Sequence, residues 1–330
     1  VDAPAQEGGM IDRALLLRLS RAPASGAELA TELGVTRSAV WKRIESLRAA
    51  GVDVLAQPGQ GYVLAAPLAL LDAGAIAAGL APAARAELAG LEVLFETDST
   101  NAVALREPSP ERGTRAWLAE RQTAGRGRRG RRWASPLAAH VYLSLSRRFD
   151  GGLAALQGLS LAVGVAAADA LHALGYRQVR LKWPNDLVAE GRKLGGILVE
   201  IGGEAGGPMR VVVGLGLNVA MPAPAARDID QPWCDLASLA AAPPSRQAVC
   251  VALLDALLPM LAGFEREGLA AFAEGWARHD ALAGQRVTLR VGDRVVEGVA
   301  LGIAADGALR LREADGESHH HAGEASLRAA

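Results

Sequence analysis

Five arginines and two glycines fill the seven positions from Arg126 to Arg132, and no other feature constrains the chain as strongly. Glycines let a backbone fold tightly and point its N–H groups at an anion. Arginines add fixed positive charge and a two-pronged geometry for carboxylate or phosphate. A loop so dense in like charge is expected to be poorly ordered by itself and to be ordered by an anionic ligand. A basic run of this kind also reads as an RNA-binding loop or a solvated linker. Its flanks argue against both, because Trp117–Glu120 and Val141–Leu145 are strand-like and set the loop inside a folded sheet.

At 330 residues the chain is too long for one core, so two or three domains are expected. Half the residues are hydrophobic and 22% are charged, which suits globular rather than disordered material. The net charge of −1 draws nothing to nucleic acid globally, so such binding has to come from local patches. Cys234 and Cys250, without histidines at ligand spacing, argue against a structural zinc site and read as reduced thiols. His319-His320-His321 is expected to be a solvated loop, and no protein metal site is expected. Asp2 and Glu7 near the start speak against a signal peptide. Gln157, Asp169 and His172 interrupt the apolar segment Leu153–Leu174, which is expected to be a buried helix and not a membrane span. A cytoplasmic location without membrane contact follows as the expectation.

Three units succeed one another: residues 1–66, 67–280 and 281–330. The first reads as a winged helix-turn-helix. Ile11, Leu15, Leu16 and Leu19 share a helical face. Ser25 and Glu28 form a capping box, Gly34 suits a left-handed helix end, and Thr36 caps a third helix with Val40, Ile44 and Leu47 turned inward. Its outer face offers Arg37, Ser38, Lys42 and Arg43, with four bases against Glu45 alone between Thr36 and Arg48. Cations for phosphates and polar groups for base edges are what a recognition helix needs, so these four are the expected DNA contacts. Val52–Leu55 and Tyr62–Leu64, around Gln57-Pro58-Gly59-Gln60-Gly61, read as the wing. Val287–Val291, Val295–Leu301 and Ala308–Leu311 read as short strands of the last unit.

In the middle unit, Ser99-Thr100-Asn101 is a polar cluster that also suits a helix N-cap before Ala102–Leu105. Lys193 follows an expected hairpin turn at Glu190-Gly191-Arg192, so its ammonium can reach back into a pocket. Asp186 follows Trp183-Pro184-Asn185, where proline restricts a strand end. Met221–Trp233 has no regular period and reads as a loop that closes on a ligand.

Together these segments resemble the biotin–protein ligases, and specifically those that double as the biotin operon repressor. The resemblance runs in order through Glu96–Asn101, Gly125–Trp133, Lys182–Asp186, Arg192–Glu200, Gly214–Val219 and Gly323–Arg328, and so covers nearly the whole chain. It implies an α+β multidomain protein: a winged helix-turn-helix, a central α/β domain on a mixed sheet with helices largely on one face, and an SH3-like C-terminal β-barrel. It implies ATP-dependent activation of biotin as biotinoyl-5′-AMP, assisted by Mg²⁺, and transfer to a lysine of the biotin carboxyl carrier domain of acetyl-CoA carboxylase. Biotin contacts are implied for Ser99, Thr100, Asn101, Gln122, Arg126, Gly127, Arg128 and Lys193. The first four suit a ureido ring, which needs hydroxyls and amides. ATP contacts are implied for Arg128, Arg129, Arg131, Asn185, Asn218, Ile229, Trp233 and Arg328, with Trp233 stacking on adenine and Glu324 helping complete the site. Lys193, Arg126 and Asp186 are the implied catalytic residues, and Asp186 suits metal or ATP contact as well as orientation of the acceptor lysine. Pro222, Pro224 and Pro232 depart from the known repressor's loop, whose ordering is linked to dimerisation. Repression implies a biotin operator in DNA and a homodimer. A winged-helix sensor without ligase activity and a lipoate–protein ligase are the competing readings; the Arg/Gly loop is the wrong signature for the second.

Overall fold

Local chemistry sets the first domain. Ser25 and Glu28 exchange the two hydrogen bonds of a capping box (Ser25 N to Glu28 Oε2, 2.7 Å; Glu28 N to Ser25 Oγ, 3.2 Å) and start α2 (Gly26–Glu32). Thr36 Oγ1 accepts from Ala39 N at 3.2 Å and starts α3 (Arg37–Ala49). Between them Gly34 takes the left-handed φ of 64° that lets the chain turn. With α1 (Ala3–Leu19), these helices bury Leu15, Leu16, Leu29, Val40, Ile44 and Leu47. The wing is the antiparallel pair β1 (Val54–Gln57) and β2 (Gly61–Leu64), whose first strand starts two residues later than the sequence indicates. Ala24 and Tyr62 exchange main-chain hydrogen bonds and so tie the wing to the helices. This computed structural model describes residues 3–65, 68–203, 208–227, 229–242 and 245–327. The expected boundary at 66/67 lies outside the described residues.

The central domain is a mixed seven-stranded sheet in the order β3-β4-β5-β9-β8-β7-β6. Its strands are β3 (Leu88–Thr97), β4 (Thr114–Gln122), β5 (Val141–Phe149), β6 (Val179–Lys182), β7 (Asp186–Ala189), β8 (Arg192–Gly203) and β9 (Met209–Leu217). Only β3 and β4 run parallel. Strand side chains alternate between faces, and here the two faces have different chemistry. Val141, Leu143 and Leu145 of β5 and Val211, Val213 and Leu215 of β9 enter the main core. Their neighbours Tyr142, Ser144, Gly214 and Gly216 point to the opposite face, where the cleft described below lies.

The core face is covered by α7 (Leu159–Ala173) and α9 (Arg246–Glu267), with α4 (Ala73–Gly79), α5 (Pro82–Glu87) and α10 (Ala273–His279) around them. Two helical stretches, Leu153–Ala173 and Arg246–Glu267, are long and apolar enough to cross a membrane, yet 61% and 56% of their apolar windows are buried inside the protein. The opposite face carries α6 (Thr100–Arg106), packed on Trp117 and Val212. A short α8 (Ala223–Ala226) interrupts the segment expected to be irregular.

The C-terminal domain is an antiparallel sheet in the order β13-β12-β11-β10-β14, from β10 (Arg286–Val291), β11 (Arg294–Ile303), β12 (Leu309–Glu313), β13 (Gly316–His320) and β14 (Glu324–Leu327). The domain is thus an antiparallel five-stranded sheet, and among the described residues no hydrogen-bonded pairing joins β13 to β14. His319 and His320 lie on β13 and not in a loop, because β13 pairs with β12 through Leu309↔His320 and Arg310↔His319.

A buried ion pair fixes the chain between the first two domains. Arg246 donates to Glu120 Oε2 at 2.7 Å and to Ala69 O at 2.6 Å, while Leu71 N donates to Glu120 Oε1 at 2.5 Å. Arg13 of α1 donates to Leu71 O at 2.8 Å. Leu137 and Phe95 of the central domain pack against the winged-helix core.

Candidate active site and DNA-reading face

The cleft on the polar face encloses about 650 Å³ and is lined by seven cationic side chains against three carboxylates. Its floor is made of glycines at strand positions that face the same way. A Cβ on Gly216 would meet the Trp133 indole at 2.6 Å, and one on Gly214 would drive into the Asn101 amide. Side chains are excluded there so that Trp133 and Asn101 can lie flat on the sheet.

Ser99, Thr100 and Asn101 are buried at the start of α6. Asn101 Nδ2 donates to Glu200 Oε2 at 2.7 Å, and Asn101 Oδ1 lies 2.5 Å from Ser144 Oγ, which fixes the amide's orientation. Gln122 Oε1 accepts from Thr100 N at 2.9 Å, and Gln122 Nε2 donates to Ser135 Oγ at 3.0 Å. Ser99 occupies the N-cap position without making the capping hydrogen bond, so its hydroxyl faces the cleft unspent. Gly214→Ala is expected to displace Asn101 and to lower stability by about 1–3 kcal/mol, read as a drop in the urea midpoint.

The hairpin turn expected before Lys193 is present: Glu190 (φ 52°) and Gly191 (φ 74°) join β7 to β8 in the left-handed geometry of a two-residue turn. Lys193 Nζ lies 2.8 Å from Asp186 Oδ1, and Lys182 Nζ lies 3.4 Å from Asp186 Oδ2. Two ammoniums around one carboxylate leave one positive charge for a ligand. Lys193 Nζ also sits 5.7 Å above the Trp133 ring.

The Arg/Gly loop has its own backbone order, which charge repulsion alone does not predict. Gly127 N donates to Arg131 O at 2.7 Å and Trp133 N to Gly125 O at 2.9 Å, closing a turn around Arg129 (φ 56°) and Gly130 (φ 72°). Acceptors around it hold the cations apart. Arg126 faces Glu200 at 3.6 Å, Arg128 donates to Asn185 Oδ1 at 3.1 Å, and Arg131 Nη2 donates to Glu324 Oε2 of the C-terminal domain at 2.6 Å. Burial, and then the neighbouring Arg129, lower the pKa of Arg128.

The cleft therefore brings together Ser99, Thr100, Asn101, Gln122, Arg126, Gly127, Arg128, Arg129, Arg131, Asn185, Asp186, Lys193 and Glu324. Asn218, Ile229 and Trp233 do not line it. Asn218 is buried and donates to Cys234 O at 3.0 Å, so its amide binds loop ends together. Trp233 is half-buried and lies opposite Lys193, whose N donates to Pro232 O and whose O accepts from Cys234 N, both at 2.9 Å. Arg328 lies outside the described residues. Sequence reasoning gave no role to Trp133, Lys182, Ser144 or the glycine floor. Gly214 and Gly216, two apart on one strand, were the available signal.

The backbone just after β9 meets the chain at Leu236 and Ala237, where Leu236 N donates to Asn218 O at 3.1 Å and Ala237 N to Val219 O at 2.9 Å. Val219 N donates to His140 Nδ1 at 3.0 Å, and Met221 N to Asp235 Oδ2 at 2.7 Å. Burial pushes the His140 imidazole down to about 4 from 6.5, against a smaller upward pull from the Ala139 main chain and Asp235; Arg246 nearby lowers it further. Between those pH values the unfolded chain takes a proton that the folded imidazole refuses. Stability is therefore expected to fall as pH drops from 6.5 towards 4, with this group contributing at most about 1.4 kcal/mol per pH unit. Urea midpoints measured across this range should show a shallower slope for His140→Gln.

On α3, Arg37, Ser38 and Lys42 are exposed, opposite the buried Val40, Ile44 and Leu47. Arg43 instead reaches Asp12 of α1 at 3.2 Å and Arg48 pairs with Glu45 at 2.6 Å, so the outward cationic face is narrower than the sequence indicates.

A cleft that gathers cations beside a polar pocket, on a mixed sheet joined to a helix-turn-helix, suits a protein that holds an anionic ligand and carries a DNA-reading fold. Residues 93–218 match the Biotin/lipoate A/B protein ligase family, residues 13–63 the HTH domain, and residues 283–328 the Biotin protein ligase C terminal domain. The Bifunctional ligase/repressor BirA of Salmonella typhimurium is 40% identical over 306 residues, 93% of either chain, and that of Escherichia coli is 40% identical over the same span. A Biotin--[acetyl-CoA-carboxylase] ligase of Paracoccus denitrificans is 36% identical over 67% of this chain and 93% of its own. The biotin protein ligase of Aquifex aeolicus, solved in complex with biotin and ATP, superposes with a TM-score of 0.61 at 27% identity, over 73% of this chain and all of that one. The chain belongs to the biotin protein ligase family.

Proposed function

We propose that this protein is an ATP-dependent biotin–protein ligase that also acts as a biotin-responsive transcriptional repressor. The observation that carries the ligase reading is the pairing, in one cleft, of a polar pocket of hydroxyls and amides around Asn101 with Lys193 and the Arg/Gly loop. The biotin carboxylate attacks the α-phosphate of ATP, forming biotinoyl-5′-AMP and releasing pyrophosphate. The acceptor lysine then attacks the acyl carbon, forming the amide and releasing AMP and a proton.

Both reacting groups in the first step are anions, so charge neutralisation and positioning dominate the barrier. Ser99, Thr100, Asn101 and Gln122 hold the ureido ring; Lys193 and Arg126 meet the carboxylate and α-phosphate. Arg128, Arg129, Arg131 and Asn185 hold the phosphates. Asp186, between two ammoniums, positions Lys193. Adenine lies against the 221–233 loop beside Ile229 and Trp233, whose main chain is zipped to Lys193. Mg²⁺ would enter with the nucleotide and neutralise phosphate charge. Among the described residues no group of three His, Cys, Asp or Glu could hold a metal, so the fit is with Asp186 and the phosphates together.

The domains divide at 66/67 and 280/281, and the last one curls as a partly open SH3-like barrel around Val287, Leu289, Ala300 and Leu311. The partner of the enzyme is a biotin carboxyl carrier domain, and the setting is the cytoplasm. The partner of the winged helix is an operator read by Arg37, Ser38 and Lys42, as a homodimer on paired half-sites. Biotin-dependent exchange of labelled pyrophosphate into ATP tests the ligase reading, and its absence would sink it. Gel shifts of the DNA upstream of biotin synthesis genes test the repressor, with binding expected to tighten when biotin and ATP are both present. Equal binding in both conditions rules out adenylate-gated repression.

A further inference from the structure

The recognition helix carries one side chain that phosphate binding does not account for. Trp41 is 55% exposed on α3, on the flank of the face that buries Val40, Ile44 and Leu47. Its neighbours one turn away are Arg37 and Ser38 before it and Glu45, paired with Arg48, after it, while Lys42 follows it in sequence. Its indole offers a large apolar surface that gains from burial against a partner.

The neighbours indicate what would cover it. Arg43 and Arg48 are paired with carboxylates, whereas no ion pair engages Arg37 or Lys42 among the described residues. Two uncompensated cations flanking an indole suit a polyanion. An indole offers one N–H donor and no acceptor, so it reads base edges chiefly through apolar contact. The apolar group that a DNA major groove presents is the C5-methyl of thymine.

We propose that Trp41 is a specificity-determining residue that packs on a thymine methyl group in each operator half-site. The inference rests on the DNA-reading role proposed for α3. It assigns to one side chain a base that the phosphate contacts of Arg37 and Lys42 cannot select.

Selection from randomised duplex DNA tests it, using the full chain with biotin and ATP and its Trp41→Ala and Trp41→Phe variants. The unaltered protein and Trp41→Phe should enrich thymine at one position per half-site, where Trp41→Ala enriches no base. Deoxyuridine at that position, which lacks only the methyl group, should weaken binding by the unaltered protein roughly fourfold. It should leave binding by Trp41→Ala unchanged. The same base preference in Trp41→Ala, or an equal loss of affinity for every sequence, overturns the inference while leaving the DNA-reading role intact. If the unaltered protein enriches no sequence, both fall together.

Discussion

Replacing Lys193 by glutamine is expected to slow formation of biotinoyl-5′-AMP by about 10²–10³ while leaving the fold in place. The ammonium lies in the cleft 2.8 Å from Asp186, on the strand that starts just after the β7–β8 turn. Its charge matters most when the carboxylate and the α-phosphate approach, so kcat and kcat/KM should fall together. The main-chain ties of Lys193 to Pro232 and Cys234 do not involve the side chain, and Lys182 still faces Asp186 at 3.4 Å. Thermal unfolding should therefore change little. Biotin-dependent pyrophosphate exchange is the readout, and a loss smaller than tenfold would show that the arginines of the loop carry the neutralisation.

The largest loss of stability is expected at a distance from the chemistry. Arg246→Met should cost about 3–5 kcal/mol, because it leaves the carboxylate of Glu120 buried without its counter-charge. Glu120 is fully buried, and Leu71 N is its remaining donor. The substitution also frees Ala69 O and His140 O, and thus loosens the segment that leads out of the winged helix. The double variant Glu120→Leu, Arg246→Met removes both charges and should recover a large part of the loss. Urea denaturation of the two variants gives the comparison; an equal or larger loss in the double variant would mean that the backbone contacts matter more than the charge.

What could be read in advance divides by range. The caps at Ser25 and Thr36 and the turn at Glu190-Gly191 are short-range chemistry, and the structure places all three where the residues indicate. The Arg/Gly loop announced an anion site through composition alone. The Glu120–Arg246 pair joins residues 126 positions apart, and no local pattern reveals such a contact. Trp133 went unassigned because its role depends on Gly216, which only strand pairing brings beneath it. Asn218 and Trp233 were read from motifs, and the contacts that tie them to Cys234 and Lys193 depend on chain pairing that no local pattern shows. His319 and His320 read as a polar loop; pairing with β12 makes them a strand.

Incubating the purified chain with biotin, ATP and a biotin carboxyl carrier domain tests the central claim most directly. Mass spectrometry of the carrier should show one biotin on its acceptor lysine, dependent on ATP and lost with Lys193→Gln. A carrier that stays unmodified while the unaltered chain binds biotin and DNA would contradict the account, and would leave a winged-helix sensor in place of a ligase.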